Sequence, residues 1–188
     1  MTPEYAEGFV IHYYEGGFKL LEVMADRSYL LVPEEKEVPE GLSSEIEVIK
    51  APAENIYLAA TASMSFFDSL KRLDAVTMTS LISEDWTLEN PKKAMEEGSI
   101  VYAGKYSEPD YEMLVKSGCS LAIESTMILH TPEVKEMLED LDITVFVDYA
   151  SYEKTALGRV EWIKLYGALL GEEEKAEAEF KLQEELLD

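Results

Sequence analysis

The sequence predicts an α/β protein whose sheet is mostly parallel and carries helices on both faces, as in a Rossmann-like lobe. Short apolar runs recur along the chain, and amphipathic segments separate most of them; the runs are 46–49, 56–60, 75–79, 100–103, 121–123 and 144–147. Strands that alternate with helices form parallel βαβ units, and a parallel sheet is normally buried on both faces. The two ends of the chain follow different patterns, with short strands first and a long charged helix last.

Residues 1–45 predict a separate N-terminal extension of short antiparallel strands. Apolar stretches at Phe9–Tyr14, Phe18–Met24 and Tyr29–Val32 are separated by a Gly-Gly pair and by polar turns, a pattern typical of hairpins. Pro33–Gly41 has two prolines and four glutamates and predicts a loop.

Residues 46–157 predict the α/β lobe, with amphipathic helices at 63–73, 90–98, 109–118 and 131–141. Prolines near the helix starts and glycines after two of the helix ends support these boundaries. The residues expected to face the core, in chain order, are Phe66, Leu70 and Leu73; Tyr111, Leu114 and Val115; Val134, Met137, Leu138 and Leu141.

Residues 158–188 predict two further helices, 158–170 and 172–188, interrupted at Gly171. The first has an apolar face, formed by Val160, Ile163, Tyr166 and Leu169. The second is highly charged, and its apolar stripe is thin: Ala176, Phe180, Gln183 and Leu187. A long helix with so narrow a stripe needs another surface to pack against.

The composition excludes several classes of function. The formal net charge is −23 and the isoelectric point is about 4.3, so binding to nucleic acid or to anionic lipid is disfavoured by charge repulsion. High solubility is the alternative explanation of this charge. The single cysteine, Cys119, cannot form an internal disulfide or a thiolate zinc cluster.

Catalytic and metal-binding patterns are missing from the sequence. It contains no Gly-x-Gly-x-x-Gly, Walker-type or His-Glu-x-x-His motif. His130 and Glu133 are too few to hold a metal, and Ser63 and Ser125 lack the glycine-flanked turn of a nucleophile. We therefore expect no catalytic residue, no resident metal and no cofactor.

The order of segments from residue 46 onward resembles the helical-backbone class of ABC transporter substrate-binding proteins. This class serves ferric siderophores, haem, cobalamin and related metal chelates. The segments that carry the resemblance are Ile46–Pro52, Asn55–Ala60, Gly104–Leu114, Gly118–Glu124, Pro132–Leu141, Ile143–Val147 and Trp162–Glu177. The most specific is Trp162–Glu177, which is similar to the segment that leads into the helix connecting the two lobes of these proteins.

The resemblance implies one ligand-binding lobe and the start of the connecting helix, with the second lobe absent from this chain. The sequence opens on Met1–Glu4 without a basic and then apolar signal segment. We therefore expect either a cytoplasmic protein, or an extracellular, cell-surface or periplasmic one whose export signal and lipid anchor are not in this chain.

The resemblance also implies where a metal chelate would bind, because ligands of these proteins contact the loops at the carboxyl ends of the strands. The corresponding residues are Thr61, Ser63, Trp86, Tyr106, Ser107, Ser125, Met127, Tyr149, Tyr152 and Arg159. Aromatic side chains suit a flat chelate, although each could instead pack in the core. Arg159 could bind an anionic ligand group, or form an ion pair with Glu161 or another nearby carboxylate.

Acidic residues of these binding proteins contact the membrane permease, and Glu133 and Glu136 are the corresponding candidates here. Glu133 could equally serve to complement the dipole of its helix. Two other classes of function remain open from the residues alone. One is a cytoplasmic flavodoxin-like enzyme or regulatory module, and the other is an interaction protein that pairs through its C-terminal helix.

Overall fold

The computed structural model describes residues 1–24 and 27–187. They form two compact units, one from Glu54–Asp148 and the other from Met1–Ala53 together with Tyr149–Asp188. The sequence divides the chain at other positions, 45/46 and 157/158, and that division stays a prediction.

The first sheet has four strands, in the order β1-β2-β3-β4: β1 (Phe9–Tyr13), β2 (Lys19–Val23), β3 (Arg27–Pro33) and β4 (Ile46–Ala51). The three predicted N-terminal strands are confirmed, and they pair in antiparallel fashion. The strand predicted at 46–49 also exists, but it pairs in parallel with β3 and does not join the larger sheet. An apolar run indicates that a strand is buried, but it does not indicate which sheet the strand joins. The sequence alone therefore could not predict that this strand pairs with β3.

The second sheet lies in the 54–148 unit and confirms the parallel α/β prediction. Its five strands are all parallel and follow the order β11-β10-β5-β6-β7. In chain order the unit contains β5 (Ile56–Leu58), α1 (Met64–Ser69), β6 (Val76–Thr79), α2 (Glu89–Glu96), β7 (Val101–Tyr102), the hairpin β8 (Gly104–Lys105) and β9 (Glu108–Pro109), α3 (Tyr111–Lys116), β10 (Leu121–Ser125), α4 (Pro132–Asp140) and β11 (Thr144–Asp148). Consecutive residues of β10 and β11 are buried, so both faces of this sheet are covered.

Some helix faces differ from the predicted ones. Helix α1 ends at Ser69 and is followed by Lys71 with a positive φ, so the helical spacing does not continue to Leu73. Its buried side chains are Met64, Phe67 and Leu70, whereas Phe66, Leu70 and Leu73 were expected. Val115 and Met137 are 51% and 46% exposed, because α3 and α4 bury only a narrow stripe around Leu114, Val134 and Leu138.

The C-terminal segment forms three helices, α5 (Ala156–Glu161), α6 (Ile163–Leu170) and α7 (Glu173–Leu187). The predicted helix 158–170 is therefore broken at Trp162, while the left-handed cap at Gly171, φ 70°, ends α6 as expected. Ala176 and Phe180 of α7 are buried, but Gln183 and Leu187 are exposed.

Two buried glutamates hold the N-terminal segment within its unit. The Glu161 carboxylate accepts hydrogen bonds from the backbone N–H groups of residues 4, 5 and 6, at 2.7–2.9 Å, and it pairs with Lys164. Glu153 accepts from the N–H groups of residues 7 and 8 and from Trp162 Nε1. Burial acts to raise the pKa of Glu161, but these donors lower it overall. The charged carboxylate thus stabilises the fold at neutral pH, and this contribution is lost as the pH falls below the ordinary range of a glutamate.

Substitution of Gly167 by alanine should destabilise this unit. A Cβ at Gly167 would lie 2.5 Å from the Ala176 Cβ, so α6 and α7 would have to separate. Alanine favours a helix by about 1 kcal/mol over glycine, but overpacking costs about 1–3 kcal/mol, so we expect a net loss on the order of 1 kcal/mol. Urea unfolding measures it.

The matched control is the double variant Gly167→Ala with Ala176→Gly, which moves the methyl group from one helix to the other. Its loss of stability should be smaller than the sum of the two single losses. Strict additivity would show that the close approach of the two helices does not limit stability.

Candidate ligand-binding pocket

The order of the strands in the parallel sheet creates a crevice at one edge. From β5 the chain proceeds to β6 and β7 on one side, and then to β10 and β11 on the other. The connections therefore diverge between β5 and β10, and ligands of open α/β sheets bind outside the carboxyl ends of the strands at such a point. The N–H groups of Ala59 and Ala60 both donate to the Ile123 carbonyl, at 2.9 Å, which holds the two loops together there.

A cleft of about 410 Å³ lies at this edge of the sheet. Its walls come from the segments that follow β5, β6 and β7 and from the end of β10. The lining residues are Ala59, Thr61, Ser80, Leu81, Ile82, Asp85, Tyr102, Lys105, Tyr106 and Ser125. Three of the sequence-predicted ligand residues, Thr61, Tyr106 and Ser125, are thus brought together in one pocket.

A tight hairpin presents part of the pocket wall. Strands β8 and β9 are antiparallel, and Tyr106 and Ser107 form the two-residue tip between them. Gly104 has φ 85°, and a Cβ there would lie 2.4 Å from the Glu108 carbonyl oxygen, so only glycine fits. The Tyr57 hydroxyl donates to the Gly104 carbonyl at 2.9 Å. Because the base of the hairpin is anchored in this way, the backbone of Lys105 is held at the pocket.

Four other predicted residues of this unit do not line the cleft. Ser63 is buried, and its hydroxyl donates to Asp148 at 2.8 Å. Trp86 is 7% exposed, and its indole N–H has no hydrogen-bond partner in the described part of the chain. Ser107 lies at the hairpin tip, and Met127 is exposed on the turn after β10. Ligand contact by these four stays a prediction.

Three predicted residues belong to the other unit. Tyr149 and Tyr152 pack edge to face, with ring centroids 5.9 Å apart. Arg159 donates from Nε to the Glu153 carbonyl at 3.1 Å. It does not pair with Glu161, the alternative partner considered from the sequence, because Glu161 is bonded to the N-terminal backbone and to Lys164. Ligand contact by these three also stays a prediction.

Sequence reasoning missed four polar residues that line the pocket: Ser80, Asp85, Tyr102 and Lys105. A signal existed for Lys105, which stands beside Tyr106 just after an apolar run in a very acidic chain. The predicted docking residues Glu133 and Glu136 lie exposed on α4, with Glu133 in its first turn. Both the docking and the helix-dipole interpretations of Glu133 remain compatible with that position.

Next to the pocket residue Ser125 lies a buried carboxyl group, Glu124. Neither of its oxygens has a hydrogen-bond partner among residues 1–24 and 27–187. Burial raises its pKa to about 8, so the group is mostly protonated at neutral pH. Burial and the Glu124 charge also raise the pKa of Tyr57, the residue that anchors the hairpin. Both buried groups are therefore mostly uncharged at neutral pH.

Residues 1–24 and 27–187 contain no group of three or more His, Cys, Asp or Glu side chains placed to hold a metal ion. None of their helices combines the length and apolarity that crossing a membrane requires.

Comparison with known sequences gives one distant relative. No protein-family model matches the chain. An uncharacterised lipoprotein of Methanocaldococcus jannaschii is 22% identical over 195 residues, which cover 95% of this chain and 46% of that protein. The chain therefore spans about half the length of the curated relative that it matches.

Solved structures decide the fold. A periplasmic binding protein from Veillonella parvula matches 79% of this chain, and 50% of its own, with a TM-score of 0.60 and 14% identity. The chain has the fold of a periplasmic binding protein lobe. The siderophore-binding protein BauB, bound to ferric iron and two molecules of acinetobactin, matches 94% of this chain and 51% of its own, with a TM-score of 0.55 and 12% identity. The holo form of ViuP matches 73% of this chain and 44% of its own, with a TM-score of 0.54 and 17% identity.

The buried carboxyl group of Glu124 makes the stability of this chain depend on pH. The folded pKa of Glu124 is about 8, against an ordinary value of 4.5, so the unfolded chain releases the proton more readily. Stability should therefore fall as the pH rises from about 4.5 to about 8, and then level off. Glu124→Gln removes this titration, so its stability relative to wild type should rise over the same range, by on the order of 5 kcal/mol in total.

Urea unfolding at several pH values measures this difference. Glu112→Gln, which removes an exposed carboxyl from α3, is the control and should show little pH-dependent change. An unpaired amide at position 124 lowers the free energy of unfolding by the same amount at every pH. The diagnostic quantity is therefore the slope of the stability difference between the variant and wild type against pH. Parallel curves for wild type and Glu124→Gln would contradict a neutral Glu124.

Proposed function

We propose that this chain forms part of the solute-binding component of an ABC importer, and that its pocket binds a small metal chelate. The observation that carries the proposal is the position of the pocket. The pocket lies at the carboxyl ends of the parallel strands, at the point where the chain connections run to opposite sides of the sheet. The fold is similar to that of named binding proteins. The resemblance of the sequence to the helical-backbone class of these proteins supports the same function.

The chemistry of the pocket suits a metal that arrives with its own ligands. Among the lining residues there is one carboxylate, Asp85, and neither histidine nor cysteine, so they could not bind a bare transition metal strongly. Tyr102 and Tyr106 offer aromatic surface, and the remaining polar groups are hydroxyls and one ammonium. Flat or aromatic surfaces beside a few hydrogen-bond donors are typical of sites for compact organic ligands.

The proposed location is extracellular, cell-surface or periplasmic, with a lipid anchor. The name of the Methanocaldococcus jannaschii relative, a lipoprotein, and those of the structural neighbours support it. In the whole protein, Glu133 and Glu136 of α4 would contact the permease. Both side chains are exposed, as such a contact requires.

One observation favours a second function, pairing with another chain through α7. Leu182, Leu186 and Leu187 are all more than half exposed, and Leu186 is 78% exposed. Such a surface can bind a partner helix. No corresponding observation favours the flavodoxin-like enzyme that the sequence left open.

Binding can be tested on this chain with gallium(III) chelates, since Ga³⁺ is a diamagnetic substitute for Fe³⁺ and permits NMR titration. We expect weak, saturable shifts of resonances from the pocket residues, because one lobe supplies only part of a ligand's contacts. Tyr106→Ala should weaken binding about tenfold or more if the ring stacks on the ligand. Tyr14→Ala, which removes an exposed tyrosine of the other unit, is the control.

Two results would contradict the proposal. Shifts confined to residues outside the pocket, or no shift with any catecholate, hydroxamate, haem or corrinoid chelate at millimolar concentration, would exclude chelate binding at this site. Tight binding by this chain alone would instead contradict the expectation that one lobe is insufficient.

The permease contact is tested in the whole protein by reversing one charge. Glu133→Lys should abolish chelate uptake by cells while leaving the affinity for the chelate unchanged, since Glu133 does not line the pocket. Glu112→Lys, another exposed charge reversal in the same unit, should leave uptake intact. If Glu133→Lys instead weakens chelate binding, while the chelate that does bind is still taken up, then Glu133 acts on the ligand and not on the permease.

A further inference from the structure

Lys105 indicates which chelates the pocket would accept. Resting on the proposed function, we infer that the pocket selects a chelate that presents an anionic oxygen group to the Lys105 ammonium, in preference to neutral or cationic chelates of similar shape.

The first support is the exceptional position of this charge. The chain has 39 acidic and 16 basic residues, and most charged groups of the pocket surroundings would be expected to be negative. Yet the pocket lining contains one cation, Lys105, and one anion, Asp85. A positive charge is thus placed at a concave site formed at the strand ends, which favours an anionic partner.

The second support is that Lys105 is not used within the protein. Some lysines form ion pairs with carboxylates, as Lys164 does with Glu161 and Glu177, and as Lys154 does with Glu7, whereas others among the described residues form none. In the described chain the Lys105 ammonium has neither an ion pair nor a hydrogen bond, in spite of the excess of carboxylates. Its donors therefore remain available to a ligand.

The third support is that the backbone which carries Lys105 is held in place. The backbone of Lys105 lies opposite that of Glu108 in the antiparallel hairpin. Gly104 permits the close approach of the two strands, and the Tyr57 hydroxyl donates to the Gly104 carbonyl. The Asp110 N–H also donates to the Ala103 carbonyl at 2.8 Å. An ammonium on a fixed backbone loses less freedom on binding than one on a flexible loop, so more of its interaction contributes to affinity.

The neighbouring groups complete a site for oxygen anions. Thr61, Ser125 and the two tyrosines offer hydroxyl donors, and the Ser125 oxygen already accepts from the Met127 N–H at 3.3 Å, which leaves its proton for a ligand. Hydrogen bonds from such donors and from an ammonium are strongest to charged oxygen acceptors. Asp85 also lines the pocket, so an anionic chelate would bind with an anionic oxygen group next to Lys105 and an apolar ring edge next to Asp85.

The test compares two gallium(III) complexes of similar size, the anionic tris(catecholate) and the neutral tris(acetohydroxamate), by NMR titration of the full chain. Lys105→Met should weaken binding of the anionic complex about tenfold and leave binding of the neutral complex within about twofold. Lys105→Arg should retain most of the affinity, because it keeps the charge. Lys116→Met, which removes an exposed lysine from the neighbouring helix α3, should change neither affinity.

The outcomes separate this inference from the proposed function. If both complexes bind in the pocket and Lys105→Met affects them equally or not at all, the inference is wrong and the proposed function stands. If neither complex moves the pocket resonances of the wild-type chain at millimolar concentration, and no other chelate does so, the proposed function fails and the inference fails with it. A preference of the wild-type chain for the neutral complex would also overturn the inference.

Discussion

The parallel direction of all five strands of the larger sheet in the 54–148 unit is the constraint on which the candidate site depends. Parallel strands place every carboxyl end at the same edge of the sheet, and the divergence of the chain on either side of β5 opens a gap between the loops at that edge. Residues far apart in sequence, such as Thr61 and Ser125, then line one pocket. The backbone bonds of Ala59 and Ala60 to Ile123 keep this arrangement closed at its base.

The sequence predicted the architecture of this sheet well, because burial and periodicity are local signals. The run 121–123 is apolar throughout, and so is 144–147 after Thr144, as is typical of strands buried on both faces. Pairing is not a local signal, and so the strand at Ile46–Ala51 was placed in the wrong sheet. The break at Trp162 was also missed, since the apolar spacing of residues 160–169 is continuous across two separate helices.

The candidate site was only partly predictable for a related physical reason. A loop residue can be placed near the end of a strand from sequence, but the direction of its side chain depends on tertiary contacts. Thr61, Tyr106 and Ser125 reach the pocket, whereas Ser63, predicted by the same rule, is buried and bonded to Asp148. The sequence context of Lys105 was a signal, but its lack of an ion-pair partner among the described residues depends on tertiary contacts and could not be predicted from the sequence.

The hairpin at Gly104–Pro109 separates residues that determine its shape from residues that touch the pocket. Gly104, Pro109 and Tyr57 determine the backbone path, and any side chain at position 104 collides with it. The side chains at 105 and 106 do not determine the backbone path. Residues 105 and 106 can therefore be substituted without disturbing the backbone of the sheet, so the chemistry of this part of the pocket wall can change while the shape of the hairpin stays the same.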